Sequence, residues 1–188
     1  IGQLAPVSDQ LRHRALPTLA RLYEETGENV TLAVLDRGQA LYVDRLVGER
    51  SIPTISRAGG HLPLHTTGVG KVLLAHGDAE LQKAVLNSLD RFTDQTITDP
   101  GVLETQLETI KVQGFAKTQE ELAEGAVSIA VPLRGKGGNV IAALGIVAPS
   151  DGRDLGKLVP VMQVTGAALS KKLVEAGLGD AARLQASS

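Results

Sequence analysis

The chain has 188 residues, 43% of them hydrophobic and none of them cysteine, which supplies one domain with a substantial core and excludes disulfides, thiolate metal sites and cysteine nucleophiles. Two Phe, two Tyr and no Trp leave few platforms for stacking bases, and a formal charge of −2 gives no general attraction to a phosphate backbone, so any DNA contact has to come from another segment. No signal peptide or 18-residue apolar span is recognisable, which points to a cytoplasmic chain, and Ile in place of Met at position 1 suggests a piece of a longer protein.

Leu11, Ala15, Leu19 and Leu22 recur at helical spacing, with Arg12, Arg14, Arg21, Glu24 and Glu25 mostly on the other side, and predict an amphipathic helix over about 7–26. Pro17 removes one internal hydrogen bond, so a kink or break is expected there, and Gly27 closes the element. Val30, Leu32 and Val34 alternate with Thr31, Ala33 and Leu35; after the turn residues Asp36-Arg37-Gly38 the run Ala40–Leu46 alternates again, which predicts a hairpin. Residues 51–56 are expected to add a third strand.

The next stretch, Gly59 to Ala75, is the most informative. Gly60 and Pro63 hold its first half extended, and a helix starts only after Thr66 or Thr67, either of which can cap it, with Val69, Val72, Leu73 and Ala75 as the apolar stripe. Gly68 and Gly70 leave the first turn bare, which either lets a polar or anionic ligand approach the backbone or permits tight helix packing. A nucleotide loop is excluded, because Val72 stands where Ser or Thr is needed and His65 where the first glycine belongs. His61 and His65 are four apart, but Pro63 between them prevents the helix that would align both rings on a metal.

A helix over about 78–89 follows, then one opening at Asp99-Pro100, buried through Leu103, Leu107 and Ile110 and ended by Gly114. A short strand near 115–117 precedes a second hairpin, Ser128–Leu133 and Val140–Val147, linked by Gly135-Lys136-Gly137-Gly138-Asn139. Leu155, Leu158, Met162, Leu169 and Leu173 mark a closing helix whose start Pro160 is expected to shift, and the tail after Gly177 is expected to fray. Two hairpin blocks among helices predict an α+β domain on an antiparallel sheet, with the first and last helices on one face and the Gly/Pro segment, its helix and a ligand on the other.

The order and motifs resemble the effector-binding domain of IclR-family bacterial transcriptional regulators over about residues 10–175. The markers are Thr26-Gly27-Glu28-Asn29-Val30, Leu62-Pro63-Leu64-His65-Thr66-Thr67-Gly68-Val69-Gly70-Lys71, Gly114-Phe115-Ala116 with Glu120-Glu121, Gly125, and Ile129-Ala130-Val131-Pro132. The resemblance implies a GAF-like α+β fold. It divides the chain into the end of an interdomain linker helix (1–16), an effector-binding domain (17–176) and a flexible tail (177–188), with an N-terminal winged helix-turn-helix absent from this chain. It further implies a small metabolite as effector, often an organic or aromatic acid, no cofactor, assembly as a homodimer or dimer of dimers, and DNA contact only through the absent domain.

Carried over by position, the effector pocket is lined by the 51–56 segment including Thr54, by Leu62, by Gly68 and Val69, by Thr118 and Ser128, and by Gly145 and Val147. Family members that bind small carboxylates place hydroxyl or acidic groups at several of these positions, whereas Gly145 and Val147 offer neither and Thr118 is uncharged. The expected pocket is therefore roomier and more apolar, suited to something larger than a two- or three-carbon acid, with Thr118, Ser128 and the Gly68 and Val69 amides as polar contacts. Lys71 is expected to be a solvated or packing lysine; Arg57, His61 and His65 either meet a carboxylate or sit on loops in water. Glu120 and Glu121, being adjacent, should point apart, and no nucleophile with a base, metal set or pair of separated acids converges elsewhere. A GAF-like module of another signalling protein and a small hydrolase are the competing readings.

Overall fold

The computed structural model describes residues 4–48 and 60–179. A single six-stranded sheet organises them, in the order β3-β2-β1-β6-β5-β4, with every neighbouring pair antiparallel. β1 (Asn29–Asp36) and β2 (Gln39–Leu46) form the first hairpin, and β5 (Ala126–Arg134) and β6 (Val140–Pro149) the second. Arg37 and Gly38 both take positive φ in the two-residue turn of the first hairpin, the geometry whose twist matches the flanking strands. The short strands β3 (His61–Leu62) and β4 (Ala116–Gln119) lie at the two edges. The third strand expected over 51–56 lies outside the described residues, as do Thr54 and Arg57; His61 and Leu62 pair with β2 instead.

Strand alternation divides the sheet into two faces. Val30, Leu32, Val34, Ile129, Val131, Leu133, Leu144 and Ile146 join one core with the helices α1 (Leu4–Thr26) and α5 (Val159–Glu175). The opposite face carries mostly small side chains, Ala33, Ala40, Ala116, Ala130 and Ala143, and packs against α2 (Gly68–Ala75) and α4 (Pro100–Gln113), with α3 (Ala79–Leu86) beside them. This is the two-sided arrangement expected of the first and last helices.

Of the kink or break expected at Pro17, the break does not occur: α1 runs continuously from Leu4 to Thr26. Leu11, Ala15, Leu19 and Leu22, on both sides of the proline, are at most 4% exposed along one stripe, so burial on the sheet holds the helix together across the missing hydrogen bond. Asp78, Asp99 and Thr67 cap α3, α4 and α2 with side-chain oxygens. Pro160 falls in the first turn of α5, after a 3₁₀ turn at Leu155–Leu158. Gly177, where the tail was expected to begin, closes α5 at φ 79°, and Leu178 turns back into the core.

One irregularity in the sheet redirects a charge. The β1–β2 register shifts between Leu32 and Ala33, so Leu32 faces Asp44 while Ala33 faces Tyr42, and Val43 is the extra residue. A bulge of this kind changes which face the following side chains take. Asp44 thereby lands on the α1 side, where Arg12 donates to its carboxylate at 3.3 Å, and not beside Tyr42 on the α2 side.

Candidate functional site

Two cross-strand rows on the α2 side of the sheet build the site. Asn29, Val147, Ser128 and Thr118 lie side by side across β1, β6, β5 and β4; Thr31, Gly145, Ala130 and Ala116 form the next row. The second row is nearly bare of side chain, and the N-terminus of α2 comes down onto it. A Cβ on Gly68 would sit 3.0 Å from Ser128 Oγ and 3.2 Å from Ala130 Cβ; one on Gly70 would meet the Leu64 carbonyl at 2.7 Å. Both glycines therefore permit close packing. The Gly68 amide, expected to serve a ligand, donates to Ser128 Oγ at 3.0 Å, and the Gly70 amide donates to the capping Thr67 hydroxyl at 2.9 Å.

Between the first row, the start of α2 and the β4–β5 loop lies a hollow with about 450 Å³ of empty space, part of it open to solvent. Leu62, Leu122, Ala123, Ala126, Val127 and Val147 give it apolar walls, while Thr66, Thr67, Thr118 and Ser128 supply hydroxyls. A second hollow of about 140 Å³ adjoins it, lined by Thr31, Tyr42, Gly68, Val69, Gly145 and Val147 among others; Tyr42, Ser128 and Val147 border both. Every described residue of the expected site lines one hollow or the other. Leu62 and Thr118 face the larger, Gly68, Val69 and Gly145 the smaller, and Ser128 and Val147 both.

The hydroxyls are arranged with one hydrogen to spare. Thr118 Oγ1 and Ser128 Oγ are 2.5 Å apart, and Ser128 also accepts from the Gly68 amide. Two hydroxyls carry two hydrogens, of which one lies between them, so one remains for an acceptor in the hollow.

Glu121 is the only carboxylate on the described wall of the larger hollow, which carries no Lys, Arg or His. It is buried, and Lys71 Nζ donates to its Oε1 at 2.5 Å and to Gln106 Oε1 at 2.7 Å, while the Gln119 amide donates to Oε2. Lys71, expected in solvent or packed through its stem, is fully buried; burial lowers its pKa, and the charge and hydrogen bond of Glu121 act in the opposite direction. The pair leaves the wall without net charge. Glu120 diverges as expected from an adjacent residue: it has φ 52° and its Oε1 accepts from the Gly125 amide across the loop.

The histidines are committed to other contacts. His61 Nε2 lies 2.7 Å from Asp36 Oδ2, and the buried His65 pairs with the Asp90 carbonyl at 2.9 Å, its ring tilted against Phe92. No group of three metal-ligating side chains occurs among the described residues. Among the lining residues that sequence reasoning missed, Glu121 had no visible partner because Lys71 is 50 positions away. Tyr42 and Thr31 were read only as strand residues; Thr31 was the one polar side chain in the first strand's apolar alternation, which is the signal that singles it out.

The chain matches the family model described as bacterial transcriptional regulator IclR, C-terminal, over residues 4–170. It is 33% identical over 178 residues to the HTH-type transcriptional regulator XynR of Escherichia coli (strain K12), covering 92% of this chain and 70% of XynR. It is 35% identical over 142 residues to the HTH-type transcriptional regulator BhcR of Paracoccus denitrificans (strain Pd 1222), covering 74% of this chain and only 51% of BhcR. A crystal structure of an IclR homolog from Microbacterium hydrocarbonoxydans, complexed with 4-hydroxybenzoate, superposes with a TM-score of 0.84 at 31% identity, covering 88% of this chain and 69% of that one.

Proposed function

The chain belongs to the IclR family of bacterial transcriptional regulators, as its C-terminal domain, and on that premise we propose that it is the effector sensor of a cytoplasmic regulator, binding an aromatic or comparably large, mostly apolar organic acid. The observation that carries the reading is the hollow beneath α2, whose largely apolar walls bear the hydroxyls of Thr66, Thr67, Thr118 and Ser128 and the Lys71-paired Glu121. The related Microbacterium protein holding 4-hydroxybenzoate supports this ligand class. Leu62, Gly68, Val69, Thr118, Ser128, Gly145 and Val147 form the proposed effector site; Thr54, outside the described residues, completes the set that the resemblance implies. The relatives are transcriptional regulators, which favours sensing over turnover.

In the whole regulator, DNA contact belongs to a winged helix-turn-helix outside this chain, and the working unit is a homodimer or a dimer of dimers. A ligand changes operator binding only if it prefers one arrangement of that assembly over another, since equal affinity shifts nothing. β1 sits between the two layers: Thr31 lines the smaller hollow and Ala33 packs into the α2-side core, while Val30 and Leu32 lie under the α1 side. A displacement of β1 by ligand would therefore reach α1, and we take residues 1–16, which include its first part, as the end of the interdomain linker.

Isothermal titration with glyoxylate, pyruvate, benzoate and 4-hydroxybenzoate tests the ligand class. The benzoates are expected to bind at least about tenfold more tightly than the two- and three-carbon acids, equivalent to about 1.4 kcal/mol. Tight glyoxylate or pyruvate binding with none for the benzoates overturns it.

A further inference from the structure

Thr31 is 1% exposed, and its hydroxyl has no hydrogen-bond partner among the described residues. A buried hydroxyl left unpaired is destabilising, and such groups in native proteins generally meet water or a ligand. The hydroxyl faces the smaller hollow. A Cβ placed on Gly145, directly across the β1–β6 pair, would lie 2.7 Å from Thr31 Oγ1 and 2.7 Å from Val69 Cγ1. Any side chain at 145 would thus press on the Thr31 hydroxyl and on Val69, and the smaller hollow that all three border has room for about one water-sized group.

We infer that this smaller hollow is a subsite for the uncharged, hydrogen-bonding end of the effector, a hydroxyl or carbonyl, with Thr31 as its partner and Gly145 leaving the Thr31 hydroxyl clear. The inference rests on the effector reading above. A threonine hydroxyl both donates and accepts, so it matches a neutral hydroxyl in either role. A carboxylate is the wrong guest for the smaller hollow. No cationic side chain lines the smaller hollow among the described residues, and a desolvated, unpaired anion there is strongly disfavoured. The larger hollow likewise carries no Lys, Arg or His among the described residues, but its Thr118–Ser128 strip has a spare hydrogen for a carboxylate, so the acid end of the same molecule stays there. The ligand class is therefore an acid with an apolar body and a neutral polar group at its far end.

Titration of benzoate and its 4-hydroxy derivative into the wild-type chain and the variants Thr31→Val and Gly145→Ala tests the assignment. The wild type should prefer the hydroxylated probe by about tenfold, the worth of one neutral hydrogen bond. Thr31→Val should abolish that preference by weakening only the hydroxylated probe, and Gly145→Ala should weaken the hydroxylated probe more than benzoate. With no ligand added, Thr31→Val should raise the melting temperature by about 2–4 °C, because an unmet polar group is replaced by a methyl of the same shape. Equal weakening of both probes by Thr31→Val, unchanged affinity for both, or a lower melting temperature would overturn the subsite and leave the sensor reading standing. Failure of the wild type to bind either probe would remove the aromatic-acid reading and this inference with it.

Discussion

Lys71 and Glu121 form the buried charge pair beside the site, and their energetics turn on how little of either reaches water. Lys71 is fully buried and Glu121 nearly so. Removing one partner leaves the other charge desolvated without compensation, whereas replacing both with apolar groups is often close to neutral. Lys71→Met alone should therefore lower the free energy of unfolding by about 3–5 kcal/mol, and Lys71→Met with Glu121→Leu should recover most of that loss; denaturant titration of the single and double variants reads both. His76, at the end of α2, gives the pH counterpart. Burial first, then the charges of Arg134 and Lys111, hold its pKa below the ordinary histidine value, and its Nε2 finds no partner among the described residues. The unfolded chain then takes up the proton more readily than the folded one. Its contribution is intact above the unfolded value of about 6.5 and is lost as the pH falls from there through the lowered folded value. Unfolding measured across that window should show a decline in the wild type that His76→Gln visibly flattens.

At the scale of the element, Pro17 is the clearest conflict between local preference and packing. It sits on the exposed side of α1, so it contributes no core contact, yet it removes a backbone donor from the helix interior. Pro17→Ala should stabilise the chain by about 1–3 kcal/mol in denaturant unfolding, since the penalty of an interior proline is about 3 kcal/mol. A loss of stability would mean that the backbone constraint of the proline helps to lay α1 on the sheet. The two hairpins, the caps at Asp99 and Thr67 and the apolar stripes were legible because each is written within a few neighbouring residues. Features set by register were not. The alternation of Ala40 to Leu46 reads equally well with or without the bulge that sends Asp44 to the α1 side, and Thr31 acquires its meaning only once Gly145 is placed opposite. Lys71 is similar: a lysine on a short helix reads as solvated until the β4–β5 loop brings Glu121 to it.

Across the whole molecule, one sheet serves two layers of unequal character. The α1–α5 side is filled with large aliphatic residues, whereas the α2 side meets the sheet mainly through alanine and glycine and contains both hollows. Small side chains bury less apolar surface each, which makes local opening on the α2 side cheaper, as is usual where binding loops are drawn from the less stable part of a fold. A ligand in the hollow should suppress those openings selectively, because any motion that lifts Gly68–Gly70 or the 120–126 loop also dismantles its walls. With benzoate or 4-hydroxybenzoate at about one hundred times its dissociation constant, amide exchange governed by such openings should slow by about a hundredfold, the kinetic image of about 2.7 kcal/mol of linkage. Amides of α5 that open locally on the far face should change little. Protection confined to the α1–α5 layer would place the ligand on the other side of the sheet and remove the hollow beneath α2 as its binding site.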